Sequence, residues 1–119
     1  MLKKILKIKK SKSKRKLVCL TAYSKPISKI LDKYCDIILV GDSVATAMYG
    51  MKNTKEINLE TMLNHAQSVK KSVKKSLLVF DMPNRTYRNA KEAKHIYKEN
   101  PNIRITKKQE FTNTSLDNV

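Results

Sequence analysis

The sequence predicts an α/β fold built on a parallel sheet, and two observations carry that reading. Short apolar runs of strand length alternate with segments whose apolar residues recur three and four apart, which is the pattern of successive βαβ units. Two of the runs, "DIILVGDS" at 36–43 and "SLLVFDMP" at 76–83, also end alike, with four apolar residues followed within two positions by an aspartate.

The elements follow in order. "LVCLTAY", Leu17 to Tyr23, reads as a first strand. "KPISKILDKY" reads as a helix, with Pro26 near its start and Ile27, Ile30, Leu31 and Tyr34 at spacings of three and four that place them on one face. "DIILV" is the second strand. Asn58 is placed to cap a long helix whose Leu59, Met62, Leu63, Ala66, Val69 and Val73 form an apolar stripe, with Lys70, Lys71, Lys74 and Lys75 toward its negative C-terminal end. "SLLVF" is the third strand, "NAKEAKHIYKE" a third helix ended by Asn100-Pro101, and "NIRIT" a fourth strand. The expected organisation is a basic tail over 1–16 and a β/α domain over 17–119, irregular over 101–119.

A chain of 119 residues holds one domain at most. No apolar run approaches the roughly 20 residues of a membrane span, and lysines interrupt Leu2, Ile5, Leu6 and Ile8, so neither an anchor nor a secretory signal is expected. A cytoplasmic location follows. Cys19 and Cys35 lack metal-ligand or redox spacing and read as reduced, partly buried thiols.

The net charge of +16 points toward a polyanion, yet 22 of the 26 basic residues are Lys, whereas bidentate phosphate or base recognition favours Arg. Nine of the first sixteen residues are Lys or Arg, and "KKSKSKRK" reads as a solvated tail. A small basic nucleic-acid-binding protein is the alternative reading, supported by charge alone.

In parallel β/α folds ligands bind at the carboxyl ends of the strands, so Asp42 and Asp81 are expected on one rim. Two readings stay open from periodicity. The aspartates are turn residues, or together with the Ser43 hydroxyl they suit Mg²⁺, which takes one or two carboxylates and leaves positions for water and substrate oxygen. His65 and His95 have no partner at ligand spacing and read as structural or exposed.

Taken together, "LTAY" at 20–23, "DIILVGDS" at 36–43, "YGMKNT" at 49–54, "NHAQSVKK" at 64–71 and "DMPNRTY" at 81–87 resemble the ketopantoate hydroxymethyltransferase (3-methyl-2-oxobutanoate hydroxymethyltransferase) family, in order and spacing, from about Lys16 to Tyr87. The resemblance implies the N-terminal portion, three to four β/α units, of a (β/α)₈ TIM-type barrel. It implies Mg²⁺ and 5,10-methylenetetrahydrofolate, a 3-methyl-2-oxobutanoate substrate, a place in pantothenate biosynthesis and a homo-oligomer when complete, with no membrane and no nucleic acid as partner. Asp42 and Asp81 fall on the family's metal-site aspartates and on its substrate site. Ser43 falls on the residue that contacts the keto acid with Asp42. Lys108-Gln109-Glu110 has the order of the family's Lys-x-Glu, which makes Lys108 a substrate residue and Glu110 a third metal ligand. The family's general base, a glutamate that removes the C3 proton, lies further along the barrel than this sequence reaches, so the chain by itself is expected to be inactive.

Three positions depart from the family where it carries glycine. Val44-Ala45 stand for Leu-Gly, Ser72 for a helix-end glycine, and Asn84-Arg85 for an aromatic-Gly pair. Each predicts a Cβ at a point of close approach or at a turn with positive φ.

Overall fold

The computed structural model of the chain describes residues 1–99 and 104–106. Its elements are α1 (Leu2–Lys10), β1 (Cys19–Thr21), α2 (Lys25–Leu31), β2 (Ile37–Val40), α3 (Val44–Tyr49), a 3₁₀ turn (Thr54–Glu56), α4 (Leu59–Lys70), β3 (Leu77–Asp81), α5 (Ala90–Glu99) and β4 (Arg104–Thr106). The strands lie in sequence order β1-β2-β3-β4 and every pairing is parallel, as successive β/α units require. Register places Thr21 beside Leu39, Val40 beside Phe80, and Asp81 beside Thr106.

The core lies between the sheet and its helices. Ile38, Val40 and Phe80 are completely buried, as are Met62, Ala66 and Val69 of α4, and Leu59, Leu63 and Val73 pack at the margin of the same cluster. The predicted stripe of α4 therefore stands, and the Asn58 side chain caps it by accepting the Thr61 N–H at 2.8 Å. The helix ends sooner than its lysines suggest. Lys71 is the C-cap, and Lys74 and Lys75 belong to the loop before β3, because the Asp32 carboxylate takes their backbone N–H groups at 2.9 to 3.1 Å.

Helix α2 departs from its predicted face. Ser28 and Asp32 are buried, whereas Ile27, Ile30 and Tyr34 are exposed and only Leu31 packs against the core. The physical reason is topological. Among the described residues β1 is an edge strand and α2 packs against α4 on one side, so α2 buries the side that meets α4 and leaves its apolar side open. Leu20 of β1 shows the same effect: it pairs with the fully buried Ile38 yet is 47% exposed.

The basic N-terminal segment is largely exposed along its helix and touches the domain at two points. Residues 2–10 are helical, with Lys7, Lys9 and Lys10 in the last turn where the helix dipole favours cations. No residue of α1 is buried, but Lys4 Nζ donates to the Ser76 carbonyl at 2.8 Å, and the Arg15 guanidinium grips both Asp36 oxygens at 2.6 and 2.9 Å. Both anchor points lie at the amino ends of β2 and β3. A cleft of about 560 Å³ runs along this side, lined by Lys3, Leu6, Lys7, Lys10, Lys14 and Arg15 among others. Of the two thiols, Cys35 is buried and Cys19 exposed, and neither is in a disulfide.

Candidate functional site

The carboxyl ends of the strands are built from the turns that leave them. β2 ends at Val40, and the chain enters α3 through Gly41-Asp42-Ser43, a tight turn closed by Val44 N–H to Gly41 O at 3.1 Å and Ala45 N–H to Asp42 O at 3.0 Å. Gly41 leaves the turn room, since a Cβ there would meet Ser43 Oγ at 3.2 Å. Asp42 is 7% exposed, held over a core that includes the fully buried Val44 and Ala45. Asp81 is the last residue of β3, half-buried, in register one position below Asp42 across the β2–β3 pair. The expected rim is therefore present: Asp42, Ser43 and Asp81 lie at the same end of adjacent parallel strands.

Lys108 and Glu110 lie outside the described residues, as does the irregular segment expected over 101–119 apart from β4. Among the described residues no three His, Cys, Asp or Glu side chains converge as a metal-binding group, so the rim supplies two carboxylates and a hydroxyl. That donor set still fits a hard divalent cation, because Mg²⁺ commonly binds through one or two carboxylates and completes its shell with water and substrate oxygens.

The rim contains a cluster that residue spacing did not reveal. The Tyr23 hydroxyl, just past β1, is 2.6 Å from Ser43 Oγ. His65, half-buried on α4, donates from Nδ1 to the Tyr23 carbonyl at 2.7 Å, and its Nε2 accepts from the Tyr49 hydroxyl at 2.9 Å. Both tyrosine rings meet the imidazole edge to face, at centroid distances of 6.4 and 5.7 Å. His65 thus joins α4 to the exit of β1 and to the end of α3. The signals available beforehand were Tyr23 at a strand's carboxyl end and His65 beside the apolar stripe of α4, and only the packing of α4 on the sheet joins them. His95 is exposed and paired with Glu99 on its own helix at 3.3 Å.

Of the three substituted glycines, two are accommodated. Ala45 is buried inside α3, and Ser72 turns its hydroxyl to Ser28 Oγ at 2.6 Å. Arg85 alone keeps a left-handed backbone, with φ of +62°. The other left-handed position of interest is Gly50, the C-cap of α3, also at +62°.

A family model described as ketopantoate hydroxymethyltransferase matches residues 2–108. A 3-methyl-2-oxobutanoate hydroxymethyltransferase of Pelagibacter ubique (strain HTCC1062) is 53% identical over 91 residues, which are 76% of this chain and 35% of the relative. One from Anaplasma marginale (strain Florida) is 47% identical over 87 residues, 73% of this chain and 31% of the relative. The chain thus spans about a third of the length of these relatives. Among solved structures, a phosphonopyruvate hydrolase complexed with oxalate and Mg²⁺ superposes with a TM-score of 0.66 at 15% identity, over 87% of this chain and 37% of that one.

Proposed function

Because the chain belongs to the ketopantoate hydroxymethyltransferase family and carries N-terminal β/α units of a TIM-type barrel, we propose that its rim is the metal-binding and keto-acid-binding part of a 3-methyl-2-oxobutanoate hydroxymethyltransferase. The observation that carries this reading is the placement of Asp42 and Asp81 at the carboxyl ends of adjacent parallel strands, with Ser43 beside them. Asp42 and Asp81, with Glu110 as a third ligand, would hold Mg²⁺. Bound there, Mg²⁺ supplies Lewis acidity toward the carboxylate and keto oxygens of a 2-oxo acid, which makes the proton on the adjacent carbon easier to remove.

The chain's own residues supply position. Ser43 offers a hydroxyl to a keto-acid oxygen, Lys108 a cation to its carboxylate, and the buried Asp42 a carboxylate anchored by the turn into α3. The one-carbon donor in this reading is 5,10-methylenetetrahydrofolate, the product ketopantoate, the setting cytoplasmic and the complete enzyme a homo-oligomer. Among the described residues no helix is long and apolar enough to cross a membrane. No group within these 119 residues is assigned the role of C3-proton base, so the isolated chain binds but does not turn over. The cationic cleft along α1 lies at the other end of the sheet from the rim and carries no carboxylate for a metal.

The test is a titration of the isotopically labelled chain with 3-methyl-2-oxobutanoate in the presence and absence of Mg²⁺. Mg²⁺-dependent shifts at the amides of 41–44 and 81–82, abolished by Asp42→Asn, are expected. Absence of any Mg²⁺-dependent response at that rim overturns the assignment.

A further inference from the structure

We propose that His65 is a positioning residue of this rim: set in its Nδ1–H form by the Tyr23 carbonyl and steadied at Nε2 by Tyr49, it fixes the backbone of Tyr23 so that the Tyr23 and Ser43 hydroxyls make a pair with one hydrogen left for a keto-acid oxygen. The inference rests on the functional reading above, since the ligand is the one assigned there.

The hydrogen-bond inventory carries the argument. The Tyr23 carbonyl can only accept, so Nδ1 at 2.7 Å must bear the proton. In the neutral ring Nε2 is then a lone-pair acceptor, and the Tyr49 hydroxyl at 2.9 Å must donate to it. The Tyr23 carbonyl thereby selects the tautomer, and the Tyr49 hydroxyl, which can donate or accept, follows it and steadies the ring at Nε2. Fixing the carbonyl of Tyr23 fixes the peptide that follows its Cα, just where the chain leaves β1 for α2.

The consequence reaches Ser43 through one more contact. Two hydroxyls 2.6 Å apart use one of their two hydrogens between them, whichever donates. The second hydrogen has an acceptor only outside the pair. Both side chains are half-buried, reachable from the rim yet shielded enough that a hydrogen bond there counts for more than on an open surface. A carboxylate or keto oxygen placed against Ser43 satisfies that hydrogen. Without His65 the Tyr23 carbonyl loses the side chain that fixes it, and the segment is left with Ala22 N–H to Leu39 O at 3.0 Å and Lys25 N–H to Ser68 Oγ at 3.2 Å, beside a three-residue edge strand.

The experiment uses the full chain and two readouts. In the free protein, ¹⁵N shifts of the His65 ring are expected to show a protonated Nδ1 and an unprotonated Nε2. Affinity for 3-methyl-2-oxobutanoate with Mg²⁺ is then measured by NMR titration in the parent chain and in His65→Ala, His65→Asn, His65→Gln and Tyr49→Phe, each checked for native amide dispersion. His65→Ala should lose about tenfold in affinity, the scale of one well-made hydrogen bond. His65→Asn, whose amide nitrogen stands near the place of Nδ1, should recover most of it, and His65→Gln should not. Tyr49→Phe, a change at an exposed residue, should cost roughly two- to threefold by removing the second tie on the imidazole ring. A ring protonated at Nε2, or parent affinity in His65→Ala while Asp42→Asn abolishes binding, overturns this inference and leaves the functional assignment standing. A parent chain that shows no Mg²⁺-dependent binding overturns the assignment and this inference with it.

Discussion

The Asp32 carboxylate accepts the backbone N–H of Ser76 at 2.7 Å, tying the end of α2 to the start of β3. The same two oxygens take the N–H groups of Lys74 and Lys75, so one side chain closes the loop between α4 and β3. Ser76 then passes the connection on, donating its hydroxyl to the Cys35 carbonyl at 2.9 Å. Removing the acceptor strands the Ser76 N–H in a buried place and leaves those of Lys74 and Lys75 to partial compensation by water. Asp32→Ala is therefore expected to lower the unfolding free energy by on the order of 3 kcal/mol, read from urea denaturation, whereas Asp32→Asn should cost less because one oxygen remains. An unchanged urea midpoint in Asp32→Ala would show the loop to be closed by other contacts.

Acid should weaken the fold through two aspartates. Burial works against the ionised form of Asp32, but the N–H groups of Lys75, Ser76 and Lys74 outweigh it and hold its pKa below the ordinary carboxylate value. Asp36 is held far lower, first by its hydrogen bonds with Arg15 and then by the Val18 N–H. In both cases the unfolded chain binds a proton more readily than the folded one, so stability rises with pH across the interval between the two pKa values. The contribution is complete above the ordinary carboxylate value of about 4 and is lost as pH falls through the folded-state values. Urea midpoints should be level from about pH 5 to 7 and fall below pH 4. Asp32→Asn should flatten part of that fall, and Arg15→Gln a smaller part, since Arg15 is 44% exposed and its pair is screened.

Arg85 occupies a left-handed conformation with φ of +62°, at a position where the resembled family has glycine. A non-glycine residue there costs roughly 1–2 kcal/mol; glycine relieves that strain, but the greater freedom it gives the unfolded chain offsets part of the gain. Arg85→Gly is expected to raise stability by about 0.5–1 kcal/mol, while the β-branched Arg85→Val should lower it. A midpoint that falls in Arg85→Gly would indicate that the Arg side chain holds the loop through its own contacts.

Helix α1 buries none of its residues, and side chains tie the N-terminal segment to the amino ends of the strands through Lys4 and Arg15. Deleting residues 1–16 is expected to leave a cooperative unfolding transition at a lower urea midpoint. Loss of cooperativity would place the boundary of the folded unit inside the basic segment.

Activity of the isolated chain is expected to be absent. Deuterium incorporation at C3 of 3-methyl-2-oxobutanoate, followed by NMR in deuterated water with Mg²⁺, should not exceed the metal-only background. Exchange above background that disappears in Asp42→Ala or Asp81→Ala would reveal a base within these residues.

Much of the arrangement was legible in the sequence because it depends on local pattern. Four-residue apolar runs such as Ile37 to Val40 and Leu77 to Phe80 are too short for helices, and helical spacing between them forces parallel crossovers, which put Asp42 and Asp81 at one end. Asn58 and the stripe of α4 follow from capping chemistry and a period of 3.6. What only the tertiary structure decided is what meets what. Ile27 and Ile30 have the spacing of a buried face, yet burial depends on whether an element lies opposite, and among the described residues α2 buries the side toward α4. Asp32 reads as an unremarkable acid until β3 starts beside it. Tyr23, Ser43, Tyr49 and His65 come from the exits of two strands and from two helices, and no periodicity relates them. The bonds of His65 exist because α4 packs across β2, and that of Tyr23 with Ser43 because β1 and β2 pair in parallel, contacts that a one-dimensional pattern does not encode.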